Sequence, residues 1–135
     1  MINANAIKNP REDQKYAIRI LNAWADELEA FGNGTLWLDA NDGDTYVGDE
    51  PKDEDDEQAS IVDVIGDVYN VRFIVDGERE FEDVRLMVAC GGPTIWLNTE
   101  TENIELYWGG EEMCLPMDYD AVSEIRAYGA ELYNF

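Results

Sequence analysis

Residues 68–108, VYNVRFIVDGEREFEDVRLMVACGGPTIWLNTETENIELYW, decide the fold of this chain. Apolar and polar residues alternate through much of the stretch, and that alternation is the period of a half-buried β-strand. Asp76-Gly77 is the strongest hairpin signal in the chain, because aspartate and glycine suit the tight turn between two antiparallel strands. The pattern predicts two successive hairpins, with strands over 68–75, 81–90, 94–97 and 104–108.

The same alternation predicts which residues share a face of each strand, because successive side chains of a strand point to opposite faces. On the first strand, Tyr69, Val71, Phe73 and Val75 share one face. On the second strand, one face carries Val84, Leu86, Val88 and Cys90, and the other carries Arg85 and Met87.

A helix is predicted on each side of the strand region. The first should begin with Asn9 as its N-cap and end at Gly32 in a left-handed conformation. Its apolar stripe, at helical spacing, consists of Ala17, Ile20, Leu21, Trp24, Leu28 and Phe31. The second helix should be capped by Asp118 or Asp120, and Gly129 is expected to weaken its last turn. Its apolar side consists of Ala121, Val122, Ile125, Tyr128 and Leu132.

Shorter elements fill the remaining sequence. Residues 35–38 and 45–47 should pair around the turn residues 41–44. Residues 59–66 fit either a short helix or a strand, and a short helix that ends at Gly66 is favoured. Residues 113–115 should add a short edge strand.

Together the elements predict a single α+β domain over residues 1–135. It should contain an N-terminal amphipathic helix, a mostly antiparallel β-sheet meander and a C-terminal helix. An acidic loop is predicted over 48–58. The length of the chain and its 11% aromatic content are sufficient for a real hydrophobic core.

Charge is the most unusual property of the sequence, since 31 acidic residues stand against nine basic ones for a formal net charge of −22. The net charge is −1 over residues 1–31, −11 over 32–67 and −10 over 68–135. The densest run is DEPKDEDDE, at residues 49–57. Such a charge destabilises a compact domain through self-repulsion, so something must favour keeping it.

The composition argues against several classes of function. The chain has no histidine and no glycine-rich phosphate loop, so we expect neither enzymatic activity nor a cofactor. Residues 39–50 superficially match a calcium loop, but the glycine stands at the fifth position rather than the sixth, so we expect a polar hairpin turn and no metal. The acidity argues against direct binding of nucleic acid or of anionic membranes.

The sequence also favours a cytoplasmic location. Two cysteines, Cys90 and Cys114, are too few for a disulfide framework, and we expect both to be free thiols that fill the core or its margin. No stretch has the apolar length of a signal peptide or a membrane span.

A basic protein is the partner that these features favour, and a nucleic-acid-binding enzyme or complex in particular. Carboxylates fixed on a folded surface can approach the charge density of DNA. The candidate contacts are Asp42, Asp44, Asp49, Glu50, Asp53, Glu54, Asp55, Asp56, Glu57, Glu100, Glu102, Glu111 and Glu112. Exposed aromatic side chains such as Tyr107, Trp108 and Tyr119 could add anchors.

In its small size, extreme acidity and aromatic-rich α+β pattern, the chain resembles the acidic DNA-mimic inhibitors of phages and mobile elements, of the anti-restriction and anti-CRISPR type. The resemblance implies a non-enzymatic inhibitor that blocks the nucleic-acid-binding surface of a CRISPR effector or restriction enzyme. Three alternatives fit the same charge. They are an immunity protein or antitoxin for a cationic nuclease toxin, an acidic adaptor or chaperone for a basic protein, and an acidic domain of a halophilic proteome.

Overall fold

The structure, a computed structural model, describes every residue from Met1 to Phe135 and contains nine strands and three α-helices. In chain order they are β1 (Ile2–Asn3), α1 (Glu12–Asn33), β2 (Leu36–Leu38), β3 (Thr45–Val47), β4 (Glu57–Gln58), α2 (Ile61–Ile65), β5 (Asn70–Val75), β6 (Phe81–Ala89), β7 (Thr94–Asn98), β8 (Asn103–Trp108), β9 (Glu111–Pro116) and α3 (Tyr119–Asn134). A short 3₁₀ turn, Ala4–Ala6, follows β1.

Six strands form one large sheet in the order β1-β9-β8-β7-β6-β5. Neighbours from β5 to β9 pair antiparallel, so both predicted hairpins are present, and only β1 pairs parallel, with β9. The prediction of an α+β fold with a mostly antiparallel sheet is confirmed. The prediction of an edge strand over 113–115 is wrong in one respect, because β1 pairs with the outer side of β9.

Helices α1 and α3 contact each other and cover one face of the large sheet. Alternate residues of the central strands point into this interface and are inaccessible to solvent: Val84, Leu86, Ile95, Leu97, Ile104, Leu106 and Met113. Leu21 and Leu28 of α1 and Ile125 of α3 close the core from the helix side. Full burial of each such side chain stabilises the fold by about 1.5–3 kcal/mol, so this interface is the main source of stability.

The apolar faces predicted for the two strands differ in burial. Cys90, expected in the core or at its margin, follows the end of β6 and lies on the surface, whereas Val84, Leu86 and Val88 before it are buried. Phe73 and Val75 of β5 are 39% and 40% exposed. The reason is that β5 lies at the edge of the sheet, with a neighbouring strand on one side only. Alternation along a strand does not reveal that position.

The opposite face of the large sheet is shielded by its own side chains. Trp96 is only 6% exposed although both long helices lie on the other face. The Arg85 guanidinium lies 4.3 Å from the Trp96 ring centroid and donates to the Glu105 carboxylate at 2.7 and 2.9 Å. Asn98 donates to the second oxygen of Glu105 at 3.0 Å. This face therefore carries buried, paired charges rather than an anionic surface.

A separate three-stranded sheet, in the order β3-β2-β4, packs beside α1. Strands β2 and β3 form the hairpin predicted around residues 41–44, and the Trp37 indole N–H donates to the Gly48 carbonyl across it at 2.8 Å. Strand β4 pairs with the other side of β2. The predicted acidic loop over 48–58 therefore ends in a strand, and the polar sequence of β4 gave no sign of it.

The predicted ends of α1 are displaced by about one half turn. Asn9 has a left-handed backbone (φ 51°), which an N-cap residue does not adopt, and Arg11 precedes the first turn instead. The Gln14 side chain accepts from the Arg11 N–H at 3.0 Å. At the other end, Gly34 rather than Gly32 is left-handed (φ 73°). The helix continues through Gly32, where an added side chain would collide with the Asp118 carboxylate.

Helix α3 is capped by Asp118, as predicted, and continues through Gly129. Asp118 accepts from the amides of Asp120 and Ala121 at 3.0 and 3.2 Å. Gly129 is buried against β6, where an added Cβ would lie 2.6 Å from a methyl group of Val84. The helix therefore continues past Gly129 to Asn134, and the glycine lets α3 approach the sheet closely.

We predict that Gly129→Ala lowers the free energy of unfolding by about 1–3 kcal/mol, the usual cost of overpacking a core. Alanine would otherwise favour the helix by about 1 kcal/mol, so a loss identifies the contact with Val84 as the cause. Urea unfolding measures the change. In a Val84→Ala background the same substitution should cost clearly less, and an equal cost in both backgrounds would contradict this explanation.

Candidate partner-binding surface

The acidic residues are concentrated in one part of the structure. Residues 26–60, which we call the acidic module, contain thirteen acidic residues and one basic residue, Lys52. The module comprises the C-terminal part of α1 and the three-stranded sheet with its loops. It holds −12 of the formal charge of −22.

Contacts between α1 and the small sheet join the module into one surface. The Thr45 hydroxyl donates to the Glu27 carboxylate at 2.7 Å, and the Gln58 side-chain amide donates to the Gly34 carbonyl at 2.9 Å. A cleft of about 310 Å³ lies between the two elements, and Asp26 and Glu27 line it beside Tyr46. The helix therefore contributes carboxylates to the same surface as the loops.

The acidic residues of α1 are absent from the predicted contacts because the near-neutral total over residues 1–31 hides an internal division. All four basic residues of that segment come first, and its last three acidic residues come afterwards. They are Lys8, Arg11, Lys15 and Arg19, followed by Asp26, Glu27 and Glu29. Charge counted separately for each half of the helix would have revealed this division.

Several carboxylates of the module are held in place by backbone amides. Asp39 accepts from the N–H groups of Asn41 and Asp42 at 2.8 and 3.3 Å, and Asp42 accepts from Asp44 at 2.8 Å. Asp53 accepts from the amide of Asp55 at 3.0 Å. These are Asx-type turns, in which the side chain orders its own loop. The negative charge therefore sits on ordered turns.

Residues 39–50 form a hairpin turn between β2 and β3 followed by the start of the acidic loop, as expected. Gly43 has a left-handed backbone (φ 78°) at the tip of the turn. Nowhere in the structure do three or more carboxylate or thiol side chains come together in an arrangement that could hold a metal ion.

Asp56 is buried, which argues against its predicted role as a partner contact. Only 8% of the residue is exposed, and its carboxylate accepts from the Tyr46 hydroxyl at 2.5 Å and from the Ala40 amide at 2.9 Å. The Tyr46 hydroxyl in turn accepts from the Lys52 amide at 2.8 Å, and the Lys52 ammonium lies 4.7 Å from the Tyr46 ring centroid. Asp56 and Tyr46 thus fasten the acidic loop to the small sheet.

The two residues shift each other's pKa in opposite directions. The hydrogen bond from Tyr46, with that from the Ala40 amide, lowers the pKa of Asp56 below its usual 3.8. Burial, followed by the hydrogen bond to Asp56, raises the pKa of Tyr46 above 10.0. A lowered carboxyl pKa stabilises the fold above the unfolded-state pKa, and the contribution disappears as pH falls through the folded-state pKa.

The remaining predicted contacts fall into three groups. The largest lies exposed on the acidic module: Asp42, Asp44, Asp49, Glu50, Asp53, Glu54, Asp55 and Glu57. Glu100 and Glu102, in the turn between β7 and β8, lie at the same end of the protein, since the Glu102 carbonyl accepts from the Met117 amide beside Asp118 and Gly32. Glu111 and Glu112 lie at the other end of β8.

The end of the protein that holds Glu111 is partly basic. Glu111 forms an ion pair with Arg11, and Lys15 pairs with Glu12 at 3.0 Å. Trp108 lies at this end as well, in an edge contact with Tyr16 at 4.8 Å. Glu111 is therefore neutralised within the chain and lies away from the acidic module.

Of the three aromatic residues proposed as anchors, only Tyr119 lies on the acidic side. It is 74% exposed and follows Asp118, next to the C-terminal end of α1. Tyr107 accepts from Arg85 at 3.2 Å on the shielded face of the large sheet. Tyr119 is thus the aromatic side chain best placed to support a contact made by the module.

Comparisons of the chain with protein-family models, curated proteins and solved structures return no match. None of the helices combines the length and apolarity that crossing a bilayer requires. Function is therefore inferred from the charge distribution and the order of the acidic module.

We predict that Asp56→Asn lowers the free energy of unfolding at neutral pH, because the ionised carboxylate accepts both hydrogen bonds more strongly than an amide does. The difference from the wild type should be largest above about pH 4 and should shrink as pH falls through the lowered pKa. Urea unfolding between pH 2 and pH 7 measures it. A difference that does not change with pH would show that the charge of Asp56 is not the stabilising feature.

Proposed function

We propose that this protein is a non-enzymatic inhibitor whose acidic module mimics nucleic acid. The module occupies the basic nucleic-acid-binding surface of an enzyme or enzyme complex and excludes the natural substrate. Inhibition is stoichiometric and needs no catalytic residue, cofactor or metal. The observation that carries the proposal is the net charge of −12 over residues 26–60, where every acidic residue except Asp56 is at least partly exposed.

Segregation of charge favours this proposal over general acidity. A chain adapted only for solubility or high salt needs acid on every surface. Here the basic residues Arg11, Lys15 and Arg19 lie at one end of α1, whereas the acidic module begins at Asp26. The paired charges of Arg85 and Glu105 occupy a third region, on the sheet face opposite the helices. Such a division suits a protein that presents one anionic surface to one partner.

The density of carboxylates on the module is comparable to that of a nucleic acid strand. Asp53, Glu54, Asp55 and Glu57 are exposed within five consecutive residues. Five residues span at most about 18 Å, and a DNA strand carries about five phosphates along that length. Because the turns that hold these residues are ordered, docking costs less entropy than it would for a flexible acidic tail.

The acid near the end of α1 gives the helix itself no benefit. Asp26, Glu27 and Glu29 lie one to two turns before its C-terminus, and its last turn contains no basic residue. The helix dipole disfavours negative charge there, at a cost below the about 0.3–1 kcal/mol of a charge within the last turn. Acid at positions where the helix gains nothing from it is consistent with a binding role.

The partner class follows from the chemistry of the module and from the resemblance to phage-type inhibitors. A CRISPR effector or restriction enzyme has an extended basic channel for nucleic acid, and we propose a target of this kind in the cytoplasm. Electrostatic attraction of the module would also accelerate association and make it sensitive to salt.

We predict that Glu50→Lys, Glu54→Lys and Asp55→Lys together weaken partner binding by about 100-fold, because three attractive contacts become repulsive. None of these side chains accepts a hydrogen bond within the protein, so the fold should persist. Proteins retained from bacterial lysate by the immobilised wild type should be released by duplex DNA and should not bind the triple variant. The purified target should lose its nucleic-acid binding when one equivalent of inhibitor is added.

A matched control reverses the same number of charges away from the module, at the exposed residues Glu82, Glu124 and Glu131. This variant should bind nearly as well as the wild type at moderate salt. Equal loss in both variants would indicate attraction to net charge alone. Partners that duplex DNA does not displace would contradict mimicry and favour an immunity protein or adaptor.

We predict that Glu29→Lys increases stability and weakens target binding at the same time. A basic residue near the end of α1 complements the helix dipole and pairs with Asp26 one turn earlier, which together are worth about 0.5 kcal/mol, or about 2 °C in Tm. Thermal unfolding and titration of the purified target measure the two effects. Higher stability with unchanged affinity would exclude the helix from the binding surface.

A further inference from the structure

Strand β5 is an open edge of the large sheet. It is the outermost strand, and its extensive contacts are with β6 alone. All six of its residues are at least partly exposed. An edge strand leaves a row of backbone N–H and C=O groups without partners, which can pair with another strand.

The features that usually protect an edge are scarce on β5. Proteins commonly blunt an edge with proline, several charges or a very short strand. The sequence of β5, NVRFIV, has no proline and a single charge, Arg72. The other outermost strands are shorter: β1 and β4 have two residues each and β3 has three.

A partly exposed cluster of aromatic side chains lies beside this edge, on the helix side of the sheet. The Phe73 ring is in edge contact with Tyr133 of α3 at 5.2 Å and with Phe81 of β6 at 6.4 Å. Phe73 nevertheless remains 39% exposed. A strand added to β5 would place alternate side chains against this aromatic cluster, and their burial would add to the backbone hydrogen bonds.

The charges around β5 specify the kind of strand that it accepts. Asp67 precedes the strand, and Asp76, Glu78 and Glu80 follow it, with Arg79 as the one basic residue among them. In an antiparallel pair with a second copy, Asp67 of each copy would face the acidic residues after β5 of the other. Like charges at both ends therefore disfavour self-pairing, whereas basic residues at both ends of an incoming strand would be attracted.

We propose that β5 binds an extended segment of a partner protein as a seventh strand of the large sheet, and that this segment has alternating apolar residues flanked by lysine or arginine. The interaction uses backbone hydrogen bonds for affinity, the Phe73 cluster for its apolar side chains and the acidic flanks for its basic ends. It is a second binding surface, separate from the acidic module, and does not depend on the function proposed for that module.

The test uses a synthetic nine-residue peptide with a centre of alternating valine and threonine and two lysines at each end. It should bind with measurable affinity by calorimetry and slow hydrogen exchange of the amides of residues 70–75. Two matched peptides replace the lysines with glutamates or the central valine with proline. Each should bind at least about tenfold more weakly. The glutamate-flanked peptide is repelled by the acidic residues around β5, and the proline peptide cannot complete the strand pairing.

Charge-reversal variants of the protein distinguish binding at β5 from general attraction to an acidic chain. Glu78→Lys with Glu80→Lys should weaken binding of the lysine-flanked peptide by about tenfold and strengthen binding of the glutamate-flanked one. Glu50→Lys with Glu54→Lys changes the net charge equally on the acidic module and should have little effect. Equal loss in both variants, no binding at millimolar peptide, or protection outside residues 70–75 would overturn the proposal.

Discussion

The packing of α1 and α3 against one face of the large sheet is the constraint on which the rest of the structure depends. At a net charge of −22, repulsion between like charges destabilises the compact state. Burial of the apolar interface is the main stabilising contribution that outweighs this repulsion. The interface requires close approach, and for this reason a glycine stands at position 129, where Val84 leaves no room for a side chain. Because one interface supplies most of the stability, the outer surface is free to carry charge that stability alone would not favour.

Part of the charge is used within the structure, and this use explains how so acidic a chain folds its loops. Asp39, Asp53 and Asp118 each accept backbone amides at a turn or helix start. Such hydrogen bonds are strong because the acceptor is ionised. Asp56 is also buried, and its carboxylate accepts a hydrogen bond from the Tyr46 hydroxyl. A carboxylate in this chain can therefore order the backbone and still be a surface charge, as Asp53 is, whereas a buried one such as Asp56 is withdrawn from partners.

The sequence predicts secondary-structure elements better than it predicts which residues contact one another in the assembled fold. Local chemistry determined the hairpin at Asp76-Gly77, the short helix before Gly66 and the cap at Asp118, and each is confirmed. Properties that depend on the assembled fold were missed. The burial of Asp56 depends on a tyrosine ten residues earlier in the chain, and the exposure of Phe73 depends on which strand lies at the edge. For the same reason the exposure of most of the candidate acidic residues could be predicted, whereas their division among three places could not.

The two proposed surfaces would have complementary physical properties. The acidic module would act at long range and govern the rate of encounter and its dependence on salt. The edge of β5 would act only on contact, through directional hydrogen bonds and the aromatic cluster around Phe73, and govern residence time and choice of partner. A basic segment would be attracted by both, since acid flanks β5 and covers the module. If one target engages both surfaces, the second contact becomes intramolecular and total affinity exceeds that of either alone. If two basic targets are involved, both would be attracted by the acidic charge and would compete for the protein at low salt. When salt screens the charge, the edge of β5 would still discriminate between them.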